Sequence, residues 1–380
     1  MDANARPPIS RLIEISDPQD RAFLVGAPRR GTRDASYAEE HLEELARLTD
    51  TAGGKVVGRM IQRIQAPNPA QYLGSGKVAQ LKTEIQATEA TLVVFDDELS
   101  PAQGKNLEKE LDTRIMDRAE LILDIFAARA KSKEAKLQVE LAQLEYLLPR
   151  LARMWVHLSR IRGGIGLRGP GETQIETDRR LIRKRISTIK GKLEKVARHR
   201  EVIRKGRRPI PTAALVGYTN AGKSSLLTAL TGAETFVEDR LFATLDTLTR
   251  ESALNGHGRV RLIDTVGFIR KLPHDLVASF RATLEEAVRA DLVLHVIDAA
   301  HHDWEEHVEV VDEVLGTLGL GETPVVHVFN KMDLLDDKDA FRGRVRQQFD
   351  RVACVSAKTR ETQELVPILH AYVTQHSKFA

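Results

Sequence analysis

A glycine-rich stretch near the middle of the chain has the residue types and the spacing that bind phosphate. GYTNAGKS fits G-x-x-x-x-G-K-S between a predicted strand, TAALV, and a predicted helix, KSSLLTALTG. Backbone N–H groups and the helix N-terminus would surround phosphate oxygens, with Lys223 at the β- and γ-phosphates and Ser224 on Mg²⁺. The predicted contacts of this loop are Gly217, Tyr218, Thr219, Asn220, Ala221, Gly222, Lys223, Ser224 and Ser225.

Two later motifs predict which base accompanies the phosphates. NKMD follows the predicted strand VVHVF, and the Asp333 carboxylate can accept hydrogen bonds from N1–H and from the exocyclic amine of guanine. Adenine has no matching pair of donors, so ATP would leave this carboxylate unpaired. Asn330 is expected to fix the loop, and the Ala357 N–H, in SAK, is expected to reach guanine O6. The predicted base contacts are Asn330, Lys331, Asp333, Ser356, Ala357 and Lys358.

The stretch DTVGF is typical of the segment that senses the γ-phosphate. Asp264 ends the predicted strand RLID and is expected to hold Mg²⁺ through a water, while the Gly267 N–H faces the γ-phosphate. Thr244, in FATLDTLTR, is the candidate hydroxyl that closes over Mg²⁺, and Thr247 and Thr249 lie nearby. The catalytic prediction is Lys223, Thr244, Asp264 and Gly267, the metal ligands are Ser224, Thr244 and Asp264, and Thr265 and Val266 complete the nucleotide contacts.

The composition is that of a globular protein with several domains. Of 380 residues, 42% are hydrophobic and 29% charged, and the net charge is +3. The single Cys354 excludes an internal disulfide and is predicted to be a buried small hydrophobe. No secretory signal and no long uncharged apolar segment is visible, so we expect a cytoplasmic monomer without a membrane span. The histidines, including the pair His301 and His302, show no metal-ligand spacing with Cys or Glu, which predicts no metal beyond Mg²⁺.

The pattern of elements predicts a P-loop α/β domain preceded by a small α/β domain with a long helical hairpin. Short apolar runs alternate with helical patterns in the first part, which indicates a small, mostly parallel sheet, and the last part reads as a doubly wound α/β domain. The predicted divisions are a tail (1–20), an α/β subdomain (21–118), an antiparallel hairpin (119–205) with one helix over 119–152 and another from 177, a linker (206–211) and the P-loop domain (212–380).

The hairpin has the charge and the glycine content of a nucleic-acid contact. RGGIGLRGPGETQIE, residues 162–176, contains five glycines and one proline and is predicted to be a loop at the hairpin tip. Residues 178–208 contain fourteen Lys and Arg against three acids. A solvated charged helix with a flexible turn is the alternative. The predicted RNA-facing residues are Arg162, Gly163, Gly164, Arg168, Arg179, Arg180 and Arg183.

Long motifs outside the nucleotide signature resemble those of the HflX family of ribosome-associated GTPases. They are DRAELILDIFAARAKSKEAKLQVELAQLEYLLPRL, GGIGLRGPGETQIETDRR and the series GYTNAGKS, FATLD and DTVGF. The resemblance implies GTP hydrolysis with Mg²⁺, binding to the large ribosomal subunit and its RNA, and splitting of stalled or idle ribosomes under stress. Many members continue past SAK into a further domain, whereas a helix over residues 361–375 and a short tail are expected here.

Other functions stay open at this point. A largely non-catalytic, GTP-gated RNA-binding factor for ribosome assembly or hibernation would carry the same motifs. An RNA-remodelling ATPase in the N-terminal domain has little support, because YLGSGKV has Gln71 where a phosphate loop needs its first glycine. That stretch is predicted to be a simple turn before a helix.

Phe268 stands where many GTPases carry the Gln that orients the attacking water. A phenyl ring cannot hold a water, so either the chain hydrolyses nothing or another group positions the water. An element of the ribosome and a potassium ion are the two candidates. Asn220 could hold potassium beside the phosphates, as in similar G-x-x-N-x-G-K-S loops, or it could simply brace the turn.

Overall fold

The computed structural model describes residues 19–154, 170–205, 210–232, 241–242, 245–253, 258–271, 289–317, 319 and 323–377. These residues form one parallel and one mostly parallel sheet with helices on their faces, which confirms the predicted fold class. Among the described helices, none has the length and apolar character needed to cross a bilayer. Cys354 is buried, as predicted.

The N-terminal sheet has four parallel strands in the order β2-β1-β3-β4. Buried apolar residues of its strands pack against helices on both faces, as parallel sheets require. The first three residues of YLGSGKV lie in the predicted turn, but the helix that follows begins inside the stretch, at Ser75. The elements are β1 (Arg21–Gly26), α1 (Arg33–Ser36), α2 (Ala38–Thr51), β2 (Lys55–Ile61), α3 (Ser75–Thr88), β3 (Leu92–Phe95), α4 (Pro101–Leu111) and β4 (Arg114–Asp117).

The single helix predicted over residues 119–152 is wrong, because two helices cover this region. They are α5 (Arg118–Arg129) and α6 (Lys133–Met154). Ser132 caps the second helix, since its Oγ accepts a hydrogen bond from the Ala135 N–H at 3.0 Å. The Asp246 carboxylate accepts from the N–H groups of Lys131 and Ser132, so a residue of the P-loop domain stabilises the break.

The next helix, α7 (Pro170–Lys205), begins earlier than predicted. Residues 170–176 were predicted to be loop because of their glycines, but proline is favourable in the first turn of a helix. Helices α6 and α7 pack through Leu137, Leu141 and Ile189. Ion pairs from Arg185 to Glu140 and from Lys190 to Glu145 flank this apolar contact.

The C-terminal sheet has six strands in the order β10-β9-β8-β5-β7-β6. All neighbours are parallel except β6, an edge strand that sequence reasoning missed. Helix α11 starts at Leu365 rather than near residue 361. The elements are β5 (Thr212–Val216), α8 (Lys223–Thr231), β6 (Leu248–Ala253), β7 (Arg259–Asp264), β8 (Leu292–Asp298), α9 (Trp304–Thr317), β9 (Val325–Asn330), a short 3₁₀ helix (Met332–Leu334), α10 (Lys338–Gln348), β10 (Val352–Cys354) and α11 (Leu365–Ser377).

The two sheets share part of their hydrophobic core. Tyr218 and Ile269, beside the P-loop, belong to the same buried cluster as Leu45 of α2. Phe126 of α5 meets Phe242 edge to face, with ring centroids 4.7 Å apart. The P-loop therefore lies against the N-terminal domain rather than at a distance from it.

Candidate functional site

The P-loop follows β5 and leads directly into α8, as the phosphate-binding geometry requires. The Lys223 Nζ donates to the carbonyls of Gly217 and Tyr218 at 3.0 and 2.8 Å. Burial lowers the pKa of Lys223 to about 8, and nearby Asp264 opposes this shift. A Cβ at Gly222 would lie 2.3 Å from the Asn330 side-chain nitrogen, so only glycine fits this close approach.

The two metal ligands predicted within the described residues lie together. Ser224 Oγ donates to Asp264 Oδ2 at 2.5 Å, and Asp264 is fully buried at the end of β7. A hydroxyl and a carboxylate are hard oxygen ligands of the kind that Mg²⁺ prefers, so these residues fit the ion. Thr244, the third predicted ligand, lies outside the described residues.

Backbone hydrogen bonds hold the DTVGF segment against the P-loop. Phe268 donates its N–H to the Gly217 carbonyl at 3.0 Å and accepts from the Thr219 N–H at 2.7 Å. A Cβ at Gly267 would lie 2.8 Å from Thr219 Cγ2 and 3.0 Å from Lys223 Nζ. Thr265 is buried, and its hydroxyl donates to the Leu215 carbonyl. The Gly267 backbone is thus next to the lysine that is predicted to meet the γ-phosphate.

The Phe268 side chain points away from the nucleotide loop. It is 2% exposed and packs with Ala214, Val216, Val293 and Val311 in the core. The residue at the position of the water-orienting Gln is therefore a core residue of the sheet, and its backbone alone faces the P-loop.

The predicted base-binding residues form one connected set. The Asn330 side chain donates to the Ala221 carbonyl and accepts from the Ala357 N–H, both at 2.9 Å. The Ala357 N–H that was predicted to read guanine O6 thus has an acceptor within the protein. Ser356 Oγ donates to Asp333 Oδ1 at 2.6 Å, which fixes the carboxylate predicted to read guanine.

The remaining residues that were predicted to contact the nucleotide have the following environments. Lys331 has a left-handed backbone with φ of 65°, and its ammonium pairs with Asp298 at 2.7 Å. Asn220 is exposed, with φ of 62°, a conformation that asparagine tolerates well. Ser225 is half-buried in α8, Val266 belongs to the shared core, and Lys358 is exposed.

The predicted RNA-facing residues are partly described. Arg180 and Arg183 are exposed on α7, and Arg179 beside them is half-buried. Farther along the same helix, Arg185 and Lys190 pair with acids of α6. Arg162, Gly163, Gly164 and Arg168 lie outside the described residues.

Sequence reasoning missed a buried polar network directly after DTVGF. Lys271 pairs with Asp96 at 2.6 Å and with Asp97 at 2.7 Å, and both acids follow β3 of the N-terminal sheet. Burial opposes the charge on Lys271, but the two carboxylates outweigh it and raise its pKa. Arg270 binds Glu306 at 3.0 Å, and its carbonyl accepts from the Arg118 guanidinium at 3.2 Å.

Glu44 of α2 stands at the centre of this network. Its carboxylate binds the Arg118 guanidinium and accepts a hydrogen bond from the Tyr218 hydroxyl. Tyr218 in turn accepts from the Arg270 N–H at 3.0 Å and stacks on His307 with ring centroids 3.7 Å apart. The basic pair after DTVGF and the acids after β3 were the available sequence signals. Their positions in the sequence did not indicate that these basic and acidic residues are in contact.

Three family models match consecutive parts of the chain. They are described as GTP-binding GTPase N-terminal over residues 39–127, GTP-binding GTPase Middle Region over 129–207 and 50S ribosome-binding GTPase over 212–331. The chain is 52% identical to GTPase HflX of Caldanaerobacter subterraneus, with 86% of this chain and 75% of that protein covered. It is 47% identical to GTPase HflX of Escherichia coli K12, with 89% and 81% covered. The chain belongs to the HflX GTPase family.

Membership of the HflX family makes the protein a P-loop GTP hydrolase and confirms the resemblance drawn from its motifs. A solved structure supports the same arrangement of an N-terminal domain followed by a GTPase domain. The crystal structure of SsGBP with GDP aligns over 94% of this chain and all of that chain, at 27% identity and a TM-score of 0.52.

Proposed function

We propose that the protein binds the large ribosomal subunit, contacts ribosomal RNA through α6, α7 and the segment between them, and uses GTP to split or recycle stalled or idle ribosomes. The family model over residues 212–331 is described as a 50S ribosome-binding GTPase, which supports the choice of partner. The exposed Arg180 and Arg183 suit phosphate contacts. Guanine is read by Asp333 in this proposal.

The observation that carries the proposal is the position of Arg270 and Lys271. They lie three and four residues after Gly267, whose N–H is proposed to bind the γ-phosphate. Both side chains enter the polar network at the N-terminal domain, where Lys271 is held by Asp96 and Asp97. A shift of the γ-phosphate-sensing segment therefore acts directly on the domain that presents the basic helix.

The network favours movement of whole elements over the loss of single pairs. Arg118 and Asp96 are each 2% exposed, so separating them would break a buried ion pair at the centre of the network. Such a loss costs about 3–5 kcal/mol. We infer that the N-terminal domain follows the segment Asp264–Lys271 when the nucleotide changes, which changes the angle of the basic helix against the ribosome.

Hydrolysis would use Ser224, Asp264 and Thr244 to hold Mg²⁺, which neutralises charge on the phosphates when bound. Lys223 stabilises negative charge at the transferred phosphoryl group, and the Gly267 N–H orients it. Phe268 takes no part, because its ring lies in the core. The attacking water is positioned by the ribosome or by a potassium ion beside Asn220.

The choice between potassium and sodium salts distinguishes the two groups that could position the attacking water. A hydrolysis rate of the isolated protein that rises in potassium over sodium, and falls in Asn220→Ala, supports the ion. A rate that is indifferent to both and rises on addition of large subunits assigns the role to the ribosome. Fast turnover in isolation that Phe268→Leu abolishes would contradict both.

Sedimentation of ribosomes with the protein tests the coupling. We expect binding to large subunits and a rise of free subunits with GTP, but neither with GDP. The Lys271→Ala variant should hydrolyse GTP at the basal rate. Its binding to large subunits and its release of free subunits should no longer differ between GTP and GDP. Arg33→Ala is the matched control, because Arg33 pairs with Glu309 across the same two domains but both side chains are more than half exposed. Absence from every ribosomal particle in all nucleotide states would refute the proposal.

A further inference from the structure

Two histidines lie side by side under helix α9, in an otherwise apolar face of the GTPase sheet. His295 of β8 and His327 of β9 are direct partners in the parallel register. Because side chains alternate along a strand, they share a face with the neighbouring pairs in that register. Those neighbours, Val293 with Val325 and Ile297 with Phe329, belong to hydrophobic clusters.

His295 has an unusual polar environment for so buried a residue. It is 1% exposed, and its Nδ1 makes no hydrogen bond within the part of the chain that the structure describes. That nitrogen lies 3.7 Å from the Asp312 Oδ1 on helix α9. This separation is too long for a hydrogen bond, and a buried polar atom without one destabilises the fold.

The separation suits an ion between the two atoms. Zinc binds imidazole nitrogen and carboxylate oxygen at about 2.0–2.2 Å, so two ligands at a tetrahedral angle lie about 3.4 Å apart. Ligand atoms of His295, Asp312 and His327 all lie within 4.8 Å of one another. We propose that these three residues bind a divalent zinc ion, with water in the fourth position on the side of the half-exposed Asp312.

The ion would join three elements that support the nucleotide loop. It would connect β8, β9 and α9 through one ligand each. Val296, next to His295, is the backbone against which Gly217 packs, since a Cβ on that glycine would lie 2.1 Å from its carbonyl oxygen. Zinc should therefore stabilise the strand behind the P-loop without touching the phosphates.

A second group of possible ligands, His301, His302 and Asp303, provides the control. Its ligand atoms also lie within 4.8 Å of one another. However, His301 Nδ1 already accepts a hydrogen bond from the Asp303 N–H at 3.1 Å, and the His302 side chain is 70% exposed. A metal there would have to displace an existing bond.

The test is equilibrium dialysis of the full chain, loaded with GDP and Mg²⁺, against zinc chloride. Titration with Co²⁺ accompanies it and is followed by the visible absorption of the tetrahedral ion. We expect one-to-one binding and a higher melting temperature. Asp312→Asn and His327→Ala should each weaken zinc binding at least about tenfold and abolish the thermal shift. His302→Ala should leave both unchanged.

Asp312→Asn decides the matter if His327→Ala does not fold, because the Asp312 side chain is 54% exposed. GDP affinity provides the check that each variant retains its nucleotide site. Absence of one-to-one binding by the unaltered protein would overturn the proposal. Loss of binding in His302→Ala with retention in Asp312→Asn would also overturn it.

Discussion

The two sheets of this protein are built alike but use their carboxyl edges in opposite ways. In the GTPase sheet, β5 and β7 end at the glycine loop and at Asp264, where backbone N–H groups and a lysine are predicted to bind the phosphates. In the N-terminal sheet, β3 is followed by Asp96 and β4 ends in Asp117. Both acids bind cationic side chains, Lys271 and Arg118 at the first and Arg150 at the second.

The difference lies in the residues that follow the strands. Glycines expose N–H groups and favour an anion, whereas carboxylates favour a cation. At the N-terminal edge that cation comes partly from the other domain, because Lys271 belongs to the segment after DTVGF. The N-terminal sheet thus uses the edge where parallel α/β sheets bind ligands to hold part of the GTPase domain.

The largest expected effect concerns Asp333, the acid that is predicted to read the base. Asp333→Asn should shift the preference from guanine to xanthine nucleotides by on the order of 10⁴-fold, because the amide offers a donor to a carbonyl at C2. Asp96→Asn, an acid at the other sheet edge, should leave base preference unchanged. Nucleotide competition measures both. An unaltered preference in Asp333→Asn would show that NKMD does not read the base.

Removing the buried cation of the N-terminal edge should strongly destabilise the fold. Arg118→Ala removes the guanidinium that Glu44 and Asp96 share, and we expect the unfolding free energy to fall by about 3–5 kcal/mol. Arg114→Ala is the control, since its side chain is 51% exposed and lies 3.8–3.9 Å from its acids. Denaturant titration compares them, and equal losses would contradict a special role for the buried network.

Two glycine-rich stretches that contain a Gly-Lys pair, GYTNAGKS and YLGSGKV, sharpen the comparison further. Lys223→Ala should lower the rate of GTP hydrolysis by about 10²- to 10³-fold, because it removes a charge that stabilises the transition state. Lys77→Ala should change nothing, since Lys77 is a half-buried helix residue whose ammonium donates to the Gln80 side chain. Steady-state hydrolysis measures both rates. A loss of activity in Lys77→Ala would place nucleotide chemistry in the N-terminal domain.

The smallest effect is on the salt dependence of ribosome binding. Replacing Arg179, Arg180 and Arg183 by Gln should reduce the slope of log affinity against log salt by about 2–3, while GTP affinity stays constant. Replacing Arg185 and Lys190 by Gln is the control, because acids of α6 already pair with these two residues. Equal slopes for the two variants would show that the three arginines face solvent and do not contact RNA phosphates.

Much of the nucleotide site could be predicted because its signals are local. A glycine loop between a strand and a helix, an acid at a strand end and NKMD after another strand each specify their own place in the fold. The break at Ser132 and the early start of α7 at Pro170 were missed. The break is stabilised by Asp246, more than a hundred residues away, and a proline does not distinguish a loop from the first turn of a helix.

The sequence by itself determined the fold class, the family and the residues predicted to bind nucleotide, since these depend on periodicity and short spacing. Only the tertiary structure decided that the Phe268 ring belongs to the core, that Lys271 binds Asp96 and that His295 faces Asp312. Spacing cannot reveal these contacts. They depend on which distant strands and helices become neighbours, and packing of the whole chain sets that arrangement.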